Sequence, residues 1–494
     1  MAYERFDDHL TVSYLLDKYL EDDLQSLFKV GGGLYHYVEK SSASQGIVEA
    51  FAIQIPERTS YELYELIDDE RKDNLNIINS FIYSLIWRDP GTIKDKTITY
   101  VNEHVLCYEE TFDQFFQMVY SVASDPEHFY NADRLHKYLM QFSLPDRDEV
   151  WTTYLHNKDH SETSMFRLID WATLDEDKSY LSDQSRLLAA KALAWILTST
   201  NISFRDSATK ALVVLLENNI KTITGLLSEF EKINDPYVYE RIFAAAYGAV
   251  LRSDILNDLD SLAKYIIKTI FKAEEVYPNV LVRDYARNII EYAIFKTCIS
   301  LENASIICPP YRSTFPADFP TNDEIDAYRY DYKSKEFKEY YWGQNSILSS
   351  MVTEYGRGMC GYGDFGRYTF QSALHDWGDF DPNDLSNYAC KLIFEEYGYD
   401  VEKHGKFDRH ASSGDRHRNK TERIGKKYQW IALYEILARL SDNHKMIDES
   451  TRWGDDKQYV WFQGPWNPFV RNIDPTVISH PSKDACIPIT IKHN

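Results

Sequence analysis

The sequence predicts a mainly α chain, a HEAT-like α-solenoid followed by a smaller, mostly helical C-terminal unit, and three observations carry that expectation. The first is a recurring helix face. Phe204, Ala208, Ala211, Leu212 and Leu215 fall at i, i+4, i+7, i+8 and i+11, the period of one side of a helix. Adding 34 to each number gives Val238, Ile242, Ala245, Ala246 and Ala249, and adding 44 to those gives Val282, Ala286, Ile289, Ile290 and Ala293. The second is punctuation. Each copy follows a helix-start signal: Ser203 with Asp206, then Asp235-Pro236, then Pro278-Asn279. The third is the run from 430 to 440, apolar at almost every position, as expected of a central helix buried on several faces. Paired helices at this spacing bury their faces only against their neighbours, which is how a solenoid holds together.

A chain of 494 residues exceeds what one core supports, so several packed units are expected. Residues 1–180 read as an N-terminal helical region. It opens with a helix over 3–20, breaks at Gly31-Gly32-Gly33, and continues as amphipathic helices punctuated by Pro90, Pro126 and Pro145. A short extended piece is expected at 97–101. Residues 181–300 hold the HEAT-like repeats, including a helical stretch over 255–271. Residues 301–340 form a linker, with Pro309, Pro310, Pro316 and Pro320 ahead of a tyrosine-rich run. Its tyrosines are expected to pack it onto its neighbours.

Residues 341–445 form the C-terminal helical unit with its basic loop, and 446–494 a tryptophan-rich tail. GYGDFG at 361–366 matches G-x-G-x-x-G but lacks the strand before it and the acidic residue after it, so it reads as a packed turn. Asp379, Asp381 and Asn383 imitate the opening of a calcium loop. Asp384 and Cys390 stand where glycine and glutamate are required, and Asp381-Pro382 reads as a helix cap instead.

Six cysteines lie far apart with no C-x-x-C pair, so they read as reduced thiols rather than a disulfide framework or zinc site. His404, His410 and His417 have no ligand spacing for one helix face. No metal or cofactor is expected. With no apolar run of membrane length and no leader-like start, the chain reads as cytoplasmic, without a membrane partner.

The formal net charge is -23, yet 403–427 carries nine Lys/Arg against three Asp/Glu. That reversal needs a partner. The candidate contacts are Arg409, Arg416, Arg418, Lys420, Arg423 and Lys426, in a segment that Gly405, Ser412, Ser413 and Gly414 are expected to make mobile. Two occupants are open: the protein's own acidic surface, or an external polyanion such as nucleic acid stacked on Tyr428 and Trp430. Inside the apolar run stands Glu435. A carboxylate there needs a cation, and Arg439, one turn on, and Lys427, two turns back, are the candidates for a buried ion pair.

FRDSATKALVVLL (204–216), DPYVYERIFAAAYGAVLR (235–252), VLVRDYARNIIEYA (280–293), YERFDDHLTVSYLL (3–16), GYGDFGRYTF (361–370) and ERIGKKYQWIALYEILARLSDN (422–443) resemble the helical C-terminal region of large bacterial P-loop ATP-binding proteins of the antiviral STAND type. In those proteins an NTPase precedes the helical region. This chain starts about where the NTPase would have ended, and it contains no G-x-x-x-x-G-K-[ST], so no nucleotide-binding residue carries over. The family region also continues past this tail, which reads as truncated. The resemblance implies a non-catalytic recognition or regulatory region of an NTPase, a sensor in defence against phage, with an NTPase module or a phage protein as partner. The alternatives are a stand-alone interaction scaffold and an enzyme acting on nucleic acid through 356–443, which would require Glu435, His375 or Asp408 to converge with the basic residues.

Overall fold

Short polar side chains start several helices of this chain. Asp235 caps Pro236–Arg252 by accepting from the Tyr237 N–H, Asn279 caps Val280–Phe295, and Asp381 caps Pro382–Lys391. In the two Asp-Pro cases proline takes the first helical position, where a missing N–H costs nothing. The earliest of the three repeated helices starts before its expected signal, because Asn201 rather than Ser203 caps Ile202–Leu216. The computed structural model describes residues 2–19, 23–40, 44–156, 163–174, 176–300, 304–358, 363–413 and 421–462. The fold is mainly α. Among the described residues the only strand pairing is Met446–Ile447 with Tyr459–Val460, besides one isolated bridge, and no helix is long and apolar enough to cross a membrane.

The chain divides into two compact units: Met1–Lys137 with His160–Leu168, and Tyr138–Asp159 with Ile169–Asn494. Residues 138–159 and 169–180 of the N-terminal region thus pack within unit 2. In unit 1 the helices Ala2–Lys18, Gln45–Arg58, Leu75–Trp87 and Glu109–Ser121 pack in succession. Val12, Leu16, Phe28, Phe51, Ile55 and Ile77 fill a core there. The piece expected to be extended at 97–101 is the helix Asp95–Tyr100. A tertiary bond overrides the local preference: the Thr97 hydroxyl donates to Glu62 at 2.6 Å and accepts from the Lys94 N–H at 3.1 Å. Glu62 in turn holds Arg88 through two bonds of 2.7 and 2.9 Å, with both side chains buried.

In unit 2 the helices Asp183–Ile196, Ile202–Leu216, Pro236–Arg252 and Val280–Phe295 pack one on the next, and Ile220–Phe230 packs on Asp183–Ile196 and on Leu259–Ile266. All fifteen residues of the three stripes are buried. An arginine brace recurs beside them. Ser143, Ser182, Asn201 and Asn279 are N-caps, and four positions on from each stands Arg147, Arg186, Arg205 and Arg283. Helical side chains lean toward the N-terminus, which aims each guanidinium at the carbonyls of the preceding turn or linker. Arg147 Nε donates to Leu139 O at 3.0 Å, Arg186 Nη2 to Lys178 O at 2.8 Å, Arg205 Nε to Leu197 O at 3.1 Å, and Arg283 Nη2 to Val276 O at 2.6 Å. At Leu139 and Leu197, which lie at helix ends, the brace satisfies carbonyls of the last turn with a buried cation.

Candidate functional site

The central helix, Ile424–Asn443, is buried on all sides over most of its length. Its N-terminus is held by Asp408. Oδ1 accepts from the Ile424 N–H at 2.6 Å, and Oδ2 accepts from the Gly425 N–H and the Tyr399 hydroxyl, both at 2.9 Å. Burial nevertheless pushes the Asp408 carboxyl above the usual aspartate range, against the pull of Arg423 and these donors. Burial, then the Asp408 charge, drives the Tyr399 hydroxyl well above its own. The close approach requires glycine at 425, where a Cβ would lie 2.6 Å from Ile347 and 3.1 Å from Asp408 Oδ2.

Lys427 does not reach Glu435. Its ammonium donates to Asp148 Oδ1 at 2.7 Å and to Asp235 Oδ2 at 2.8 Å, and all three side chains have zero exposure. Residues 427 and 435 lie two turns apart, too far for a direct bond along one helix, whereas the packing brings in two carboxylates remote in sequence. Asp235 thus does double duty, since its Oδ1 caps the next helix through the Tyr237 N–H at 3.1 Å. The Thr152 hydroxyl donates to Asp148 Oδ1 at 2.6 Å. Glu435 pairs with Arg439 at 2.8 Å and accepts from the Tyr397 hydroxyl at 2.7 Å. Arg439 also reaches Glu275 at 2.7 Å and Thr314 O at 3.0 Å.

The basic segment begins as a helix, Val401–Ser413, rather than a loop. Gly405 is a packing contact, not a hinge: a Cβ there would lie 2.6 Å from Tyr340 O. Arg409 pairs with Glu339, Lys426 with Glu422 at 3.1 Å, and Lys403 with Asp146, while Arg423 occupies the N-cap position of the central helix. Arg416, Arg418, Lys420 and Gly414 lie outside the described residues. Tyr428 and Trp430 are buried and present no face for stacking. The tyrosine-rich run packs on itself and on the basic helix: Tyr330 stacks on Tyr341 with centroids 3.9 Å apart, and the Tyr340 hydroxyl meets Glu402.

Asp408, Glu435 and His375 do not converge. Asp408 caps a buried helix, Glu435 sits in its own ion pair, and His375 is exposed, while the carboxylate of neighbouring Asp376 goes to Arg452. Among the described residues no group of three His, Cys, Asp or Glu could hold a metal ion.

Sequence reasoning missed a groove of about 680 Å³. One wall is the proline-rich segment, with Pro316, Asp318, Phe319 and Pro320, and the other comes from the helix Pro382–Lys391 and its π-helical continuation Leu392–Glu396, with Tyr388, Lys391 and Glu395. Glu324, Ile325, Ala327 and Tyr328 complete the lining. The segment expected to be a linker lies within unit 2, held by the central helix and by Pro382–Lys391. Asp442 accepts from the Tyr311 N–H at 3.0 Å, Arg439 binds Thr314, and Asn387 donates to Pro320 O at 3.1 Å. Comparison with family models, curated proteins and solved structures returns no match. The site therefore rests on its own geometry. Volume and mixed lining fall in the range of ligand-binding concavities. Its aromatic rings pack on one another and on neighbours, with Phe319 edge-on to Tyr388 at 6.2 Å and Tyr328 stacked on Phe394 at 4.8 Å.

Proposed function

We propose that this chain is a non-catalytic helical-repeat recognition module. The groove between the proline-rich segment and Pro382–Lys391 carries the reading: a preformed concavity with aromatic walls and a few polar groups is built to bind. The interior polar groups that could have served chemistry have structural duties instead. Asp408 secures a helix start, Lys427 joins the central helix to Asp148 and Asp235, and the arginine braces fix one helix on the next. A scaffold so braced holds its surface in one shape, which lowers the ordering cost of binding.

The successive packing of the repeated helices supports a HEAT-like arrangement. The resemblance to the helical regions of antiviral P-loop proteins extends the proposal to regulation of an NTPase in defence against phage. A protein is the favoured partner, since the described basic residues Arg409 and Lys426 already meet the chain's own carboxylates. Affinity capture from phage-infected cells, with ATP turnover measured on the captured material, tests the reading. A stoichiometric protein partner whose turnover changes with added chain supports it. Turnover of a substrate by the purified chain alone would contradict it.

A further inference from the structure

We infer that the groove takes an extended cationic segment of a partner protein, with one arginine side chain laid along Phe319 and Tyr388 and its guanidinium held by Asp318, Glu324 and Glu395. The inference rests on the recognition reading above and names the chemistry of its partner.

Charge carries the first step. The lining holds Asp318, Glu324 and Glu395 against a single cation, Lys391. Lys391 is itself engaged, 3.8 Å from Glu395, so an anionic ligand would find no uncommitted cation and three carboxylates to repel it. More carboxylates stand behind the Tyr388 wall. Burial first, then Glu435, raises the Tyr388 hydroxyl above its ordinary range, with Glu396 and Glu275 adding and Arg439 opposing. Tyr328, which donates to Glu395, is pushed up to about 12 by burial and by that carboxylate. The chain's net charge of -23 also favours cationic partners at long range.

Shape and surface carry the second step. Glu395 already meets Lys391 and Tyr328, and Glu324 accepts from the Thr321 N–H and hydroxyl at 2.7 and 2.8 Å; a wholly apolar segment would still strip water from these carboxylates, which is costly. Lysine would supply charge alone. A guanidinium is flat, stacks on aromatic faces and presents a fork of donors to carboxylates, and this groove offers rings and carboxylates side by side. Pro316 and Pro320 lack N–H groups, so the proline wall offers a strand fewer backbone donors, which favours side-chain recognition.

The test uses pools of seven-residue peptides with randomised flanks and a fixed central arginine, alanine or glutamate, captured on the full chain. The wild type should enrich the arginine pool over the alanine pool. Asp318→Asn, at an exposed position, should cut that enrichment about tenfold, roughly one lost charge-assisted contact, and Phe319→Ala should do the same with helix content unchanged. Asp69→Asn, equally charge-reducing but in unit 1, should leave it intact. Equal loss in all three variants would reveal only a general attraction to an acidic protein and overturn the inference. Preference for the alanine or glutamate pool would overturn it too. A captured partner that binds the wild type and both groove variants alike would sink the groove assignment while leaving the recognition reading standing.

Discussion

Replacing Lys427 by Met should cost unit 2 about 3–5 kcal/mol, the penalty for leaving buried carboxylates without their cation. The setting makes the upper half of that range the expectation. Two carboxylates, not one, lose their partner, and neither Asp148 nor Asp235 has any exposure through which water could compensate. Thr152 would remain as a donor to Asp148, and the Tyr237 N–H to Asp235, which keeps the loss from growing further. Trp87 is the one tryptophan of unit 1, so urea unfolding followed by tryptophan fluorescence reports chiefly on unit 2. The midpoint should fall with an unchanged slope. Adding Asp148→Asn and Asp235→Asn to Lys427→Met should restore most of the loss, because the charges are gone and Asn at 235 still caps its helix. A single-variant loss below about 1 kcal/mol, or a triple variant no better than the single one, would refute the assignment of this triad as the buried tie of the central helix.

Ile242→Asp or Ile289→Asp, each placing a charge at a position of zero exposure, should cost several kcal/mol and lower the melting temperature; unchanged melting would mean that the repeat register is wrong. Arg205→Met should cost about 3 kcal/mol, since Glu240, 3.2 Å away, and the Leu197 carbonyl lose a buried donor, whereas Arg409→Ala on the surface should cost less than about 1 kcal/mol; similar losses from both would remove the distinction between brace and surface pair. His128 in unit 1 is held neutral, with Nε2 donating to Leu85 O at 2.8 Å and Nδ1 accepting from the Tyr130 N–H at 3.1 Å, and burial lowers it below the usual 6.5. Because the unfolded chain then takes up the proton more readily, this stability is present above pH 6.5 and lost as pH falls through the depressed folded value; His128→Gln should flatten that window in thermal melts, and an unaltered pH profile would count against the burial described.

The central helix was legible because apolar residues on every face have one common use, and the stripes were legible because three copies share one spacing. Asp235, Asn279 and Asp381 announced themselves as caps through adjacent prolines. The partners of Lys427 were not legible. Asp148 lies 279 positions away and Asp235 192, and no local pattern encodes such a meeting. The helix at Asp95–Tyr100 was missed for the same reason, as Thr97 answers to Glu62 rather than to its neighbours. The groove was hidden because its proline-rich wall reads as a linker until Asp442 and Arg439 are seen to hold it down. Ser or Asn followed four positions on by Arg occurs at all four cap-and-brace pairs, 143, 182, 201 and 279, but also at Ser84, which lies inside the helix Leu75–Trp87, so the pattern alone does not encode the brace.

The most direct test of recognition through the groove is site-specific photo-crosslinking in phage-challenged cells, with the crosslinking amino acid placed at Ala327 in the groove lining or at Asp260 on the helix Leu259–Ile266. The account predicts a discrete adduct with one protein from position 327, reduced by Asp318→Asn, and none of that mass from position 260. Adducts to the same protein from position 260 alone, or a position 327 adduct indifferent to Asp318→Asn, would contradict it.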